Sequence, residues 1–107
     1  MPQIIVTMAD DVPGQDVAEV IGTARGNVVR ARHVGNDIVA GLRQIVGGEV
    51  SEYTKLMAEA REQALDRMVQ HAQDMGADAV VTMRITTSTI MQGAAEILAY
   101  GTAVRFK

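Results

Sequence analysis

The chain has 107 residues, room for one domain (residues 1–107) that buries a core of its own. Hydrophobic residues make up 48% but aromatics only 3%, with no Trp, so the core must be packed from Val, Ile, Leu, Met and Ala. A formal charge of −3 leaves no basic patch for a phosphate backbone, and zero cysteines exclude disulfides, thiolate metal sites and a Cys nucleophile.

Nucleic acid is therefore not expected as a partner. Nor is a membrane, because no run approaches the ~20 apolar residues of a span. The start, Met1-Pro2-Gln3-Ile4-Ile5-Val6, has no basic residue and too short an apolar run for a signal peptide. A soluble cytoplasmic domain is the expectation.

Residues 3–8 read as a short strand, stopped by Asp10-Asp11 and the Pro13-Gly14 turn signal. Val17 to Val29 alternates as a longer strand. One of its faces (Ala18, Val20, Gly22, Ala24, Gly26, Val28) is small and suits close approach of a helix, while the other carries Glu19, Thr23, Arg25 and Asn27. Asn36-Asp37 opens a short helix, with Asn36 as cap and Asp37 beside the positive end of the dipole. Ile38, Leu42 and Ile45 form its apolar stripe, and Gly47-Gly48 ends it.

A long helix follows with both ends marked. Ser51 caps its start, and no Gly or Pro intervenes until Gly76 supplies a left-handed stop. Tyr53, Met57, Ala60, Ala64, Met68, Ala72 and Met75 recur three or four apart and so share one face. At about 1.5 Å per residue the helix is ~37 Å long, against a radius of gyration of ~13 Å for a compact chain of this size. It spans or overhangs its own domain, which bears on assembly.

Two more strands close the chain. In residues 77–89 the odd positions Ala79, Val81, Met83 and Ile85 are apolar, while Asp78, Thr82, Arg84 and Thr86 face the other way. After a turn at Gln92-Gly93, residues 96–106 show Ala99, Gly101 and Ala103 on one side and Leu98, Tyr100, Val104 and Phe106 on the other. With both faces apolar, this last strand is expected at the centre of the sheet, covered on both sides. Gly-Thr-Ala occurs at 22–24 and again at 101–103, which suggests that Gly22 and Gly101 both give clearance beneath the long helix. The order strand, helix, strand, strand, with the last strand central, makes a split β-α-β sheet whose outer strands run parallel.

Chemistry is sparsely marked. Gly22-Thr23-Ala24-Arg25-Gly26 is glycine-rich, but no Gly-Lys-Ser/Thr follows. Gly47-Gly48 precedes a helix, yet Glu49 and Glu52 bracket that end and repel an anion. The metal candidates are His33, Asp37 near it, and His71; a three-ligand site would need distant segments or a second subunit. Met57, Met68, Met75 and Met83 fall on buried stripes and read as gap-fillers rather than copper ligands. Glu49, Glu52, Glu59, Glu62 and Asp66 read as a solvated helical face.

Several local patterns, in this order and spacing, resemble the YbjQ-like family of small bacterial and archaeal proteins, sometimes labelled heavy-metal-binding. They are Gly41-Leu42-Arg43-Gln44-Ile45-Val46-Gly47-Gly48, Tyr53, Ala60-Arg61-Glu62-Gln63-Ala64, Gly76-Ala77-Asp78-Ala79-Val80-Val81 and Gly101-Thr102-Ala103-Val104. The resemblance runs from about residue 4 to residue 106. It implies a dodecin-like α+β subunit, a small mixed sheet packed on one long helix, that assembles into a pentameric ring or two stacked rings. It carries no catalytic residue over. The expected function is thus that of a non-enzymatic, self-assembling scaffold or interaction protein with no cofactor. The alternative is a protein that binds a divalent metal ion or a small ligand at subunit interfaces.

Overall fold

The structure, a computed structural model, describes residues 4–31, 45–46, 49–91 and 93–107. Its elements run β1 (Ile5–Val6), β2 (Val17–Ala31), β3 (Ile45–Val46), β4 (Glu49–Val50), α1 (Ser51–Asp74), β5 (Ala79–Met91) and β6 (Ala94–Phe106). The main sheet has the order β1-β5-β6-β2. β6 pairs antiparallel with both β5 and β2, so those two strands run parallel to one another, linked through α1. β1 adds parallel to β5 at the opposite edge. This is the expected split α+β sheet with its last strand inside.

α1 forms where the 3.6-residue period predicts it. Ala60, Ala64, Met68 and Ala72 are fully buried, and Met57 and Met75 pack against them. Three alanines at four-residue spacing make a flat face, and the strand beneath answers with Gly26. A Cβ at Gly26 would collide with the backbone nitrogen of Met68 and the carbonyl of Ala64, so helix and strand backbones are in direct contact there. Met68 fills what remains; burying a side chain of that size stabilises by about 1.5–3 kcal/mol. The helix ends in a Schellman arrangement. Gly76, at φ +80°, donates to the Gln73 carbonyl, and Ala77 donates to Ala72.

Three expectations are corrected by the structure. The short helix from Asn36 falls outside the described residues, except that Ile45, assigned to its stripe, lies in β3, paired with Val50 of β4. The alternation through residues 77–89 breaks at a bulge. Val81 pairs with Thr102, but Arg84, not Met83, pairs with Tyr100. Thr82 takes up the extra residue at φ +53°, an unusual conformation for a β-branched side chain. Ala79 and Val81 therefore pack away from the helix with Val104, whereas Met83 joins the helix-side core.

The third correction concerns coverage of β6. Its helix side is buried at Ile97, Ala99, Gly101 and Ala103. Among the described residues its reverse side is covered at one end only, where Val12 of the loop after β1 and Phe106 pack against Ala79, Val81 and Val104. Leu98 is only half-buried there, and Tyr100 remains 36% exposed. The sheet outruns both of its covers, and the molecule measures 54 × 25 × 24 Å.

Candidate functional site

Of the candidate ligands, His33 and Asp37 lie outside the described residues. His71 projects from α1 toward β2, the strand at the sheet's edge. Its Nδ1 accepts the backbone N–H of Arg25 at 3.0 Å. One turn earlier, Arg67 Nη1 donates to the carbonyl of Asn27 at 2.7 Å. Two helix side chains thus satisfy outward-facing backbone groups of β2 and close that part of its edge. An acceptor Nδ1 carries no proton, so the neutral ring bears its proton on Nε2. Metal ligation through Nε2 would require the proton to move to Nδ1, which would break the bond to Arg25. Among the described residues no group of three His, Cys, Asp or Glu side chains is placed to hold a metal.

The glycine-rich stretch 22–26 lies within β2, with Gly26 filled by the helix backbone and Gly22 facing Met75 Cε at 3.3 Å. Gly101 is on the helix side of β6, but the atoms nearest to it are not those of the helix. A Cβ there would meet Val80 Cγ1, the Val81 carbonyl and Met83 Cα, all from β5. Met57, Met68, Met75 and Met83 belong to the main core cluster.

Two open features stand out among the described residues. A mostly apolar cleft of about 170 Å³ sits at the far end of the β5–β6 hairpin, lined by Leu56, Met57, Thr89, Met91, Ala94 and Arg30. Arg30 is held there by Gln63 at 2.8 Å. The second is the uncovered sheet face. Tyr100 is the register partner of Arg25 on one side and of Arg84 on the other, so the three stand in one row across β2, β6 and β5. The bulge at Thr82 creates this row; unbroken alternation would set Met83 beside Tyr100. Arg84 Nη1 donates to the carbonyls of Met83 at 2.8 Å and Met8 at 3.2 Å, which fixes its guanidinium. On the next rows Glu96 accepts from Asn27 Nδ2 at 3.1 Å. Sequence reading singled out none of this row, because the register that makes it depends on the bulge.

Residues 4–107 match the model of the YbjQ-like family, whose description reads "Putative heavy-metal-binding". The chain belongs to the YbjQ-like family. Similar proteins bear the name UPF0145 protein. One from Archaeoglobus fulgidus is 57% identical over 105 residues, covering 98% of this chain and 97% of its own. One from Vibrio parahaemolyticus is 53% identical over 102 residues, covering 95% and 97%. These names assign no activity. Among solved structures, a protein of unknown function in the DUF74 family from Pediococcus pentosaceus superposes with a TM-score of 0.72, covering 97% of this chain and 98% of its own. At 10% identity that likeness shows the fold alone.

Proposed function

We propose that this YbjQ-like chain is a non-enzymatic subunit that assembles head to tail into a ring, a pentamer or a stacked pair of pentamers, acting as a scaffold or interaction platform. The observation that carries this reading is the second half of β5. From Arg84 to Met91 every residue is exposed, including Ile85 at 37%, Ile90 at 52% and Met91 at 64%. β1 pairs only with the first part of β5, so among the described residues no strand pairs with the outer edge of this stretch, and from Ile85 onward it carries no charge and no Pro. Natural sheets seldom leave such an edge without a cover. Its apolar residues favour burial against another protein surface.

Shape supports the same reading. The radius of gyration is 17.1 Å, against ~13 Å for a compact domain of this length. The subunit number rests on the dodecin-like assembly that the family resemblance implies. Native mass spectrometry of untagged protein tests the proposal: particles of five or ten times the 11.5 kDa chain mass are expected, and only single chains would overturn it.

The family description favours a second reading, a metal or small ligand held between subunits. It requires His71 to give up its bond to Arg25, or a site built from His33 and Asp37. The scaffold reading is preferred because it leaves the observed bond in place.

A further inference from the structure

We infer that the row Arg25–Tyr100–Arg84 is a docking surface for the outer stripe of α1, Glu59, Glu62 and Asp66, of a second copy of this chain. This rests on the assembly reading above and names the surfaces that would meet. An uncovered sheet face with an exposed tyrosine between two arginines has the residue types that concentrate binding energy at protein interfaces. Side chains standing in a row across three strands suit a broad protein surface better than a small ligand, which needs a concave pocket.

Charge and spacing select the occupant. Among the described residues the ion pair present joins Arg105 to Glu19, which leaves Arg25, Arg84 and the three helix acids unpaired. The carboxylate of Glu96, on the same face, is engaged by Asn27. Glu59, Glu62 and Asp66 are all exposed and lie three and four residues apart, on the helix side turned away from Ala60, Ala64 and Met68. Seven residues of helix rise ~10.5 Å from Glu59 to Asp66. Two strand spacings separate Arg25 from Arg84 by about 9.6 Å. A helix laid across the strands would bring the outer acids over the two arginines and its middle over Tyr100.

The two patches lie on opposite sides of one subunit and differ in chemistry. A contact between them is heterologous, and repetition of it either closes a ring or extends a filament. Charge complementarity of this kind mainly sets register and partner choice, and high salt weakens it.

Charge exchange tests the pairing, read as particle mass by analytical ultracentrifugation with circular dichroism to confirm folding. The unaltered chain is expected as an oligomer. The double variant R25E/R84E and the double variant E59R/D66R are each expected to fall toward the 11.5 kDa chain mass while folded. The fourfold variant carrying all these changes is expected to regain the original mass. If either double variant keeps the unaltered mass, or the fourfold variant stays dissociated, the pairing is wrong although the chain assembles. If the unaltered chain is itself a single copy, the assembly reading fails and the pairing fails with it.

Discussion

The Cα of Met83 in β5 lies 3.2 Å from the point where a side chain on Gly101 of β6 would begin. The bulge that opens at Thr82 therefore presses into space that only a glycine leaves free. That packing turns Arg84 to the open face beside Tyr100 and Met83 to the core.

Gly101→Val should then lower stability, since the side chain would meet Val80, the Val81 carbonyl and Met83 at once. Overpacking of this kind costs about 1–3 kcal/mol. Thermal unfolding followed by circular dichroism measures it; a melting temperature equal to that of the unaltered chain would show that β5 yields freely.

Gly26→Ala should be the more damaging change, although it adds a single methyl. At Gly26 the neighbours are helix backbone atoms of Ala64 and Met68, which cannot rotate away as side chains do. A loss of at least the ~3 kcal/mol upper value for overpacking is expected, seen as a larger fall in urea midpoint than for Gly101→Val. The reverse order would contradict the placement of the helix.

His71→Ala removes the acceptor of the Arg25 amide. The expected cost is about 0.5–1.5 kcal/mol, the net worth of one such bond. Hydrogen exchange gives the sharper readout: the Arg25 amide should lose protection while amides in the middle of β6 keep theirs. Equal protection at Arg25 in both proteins would mean that the bond is absent in solution.

The same bond bears on metal. Zinc added to untagged protein should not bind through His71, and a chelator should leave the melting temperature unchanged. Stoichiometric zinc that disappears in the His71→Ala variant would promote the metal-binding reading over the scaffold.

The long helix and the central place of β6 were legible because each rests on a local signal. Ser51 and Gly76 mark the helix ends, and the four-residue recurrence of Ala60, Ala64, Met68 and Ala72 marks its buried face. The row on the open face was only half legible: alternation set Met83 inward and Arg84 outward, but it gave Met83 the same face as Ala79 and Val81, and the residue inserted at Thr82 puts those two on the reverse side, the side of Arg84 and Tyr100. Likewise Gly26 and Gly101 look alike in sequence, and only the register shows that one admits the helix and the other the bulge. The bond from Arg25 to His71 spans 46 residues, beyond any local pattern.

Assembly is the claim on which the rest depends, and light scattering behind size exclusion at micromolar concentration tests it most directly. The expected result is a uniform particle whose mass is five or ten times the 11.5 kDa chain. A peak at 11.5 kDa that does not shift with concentration would contradict it.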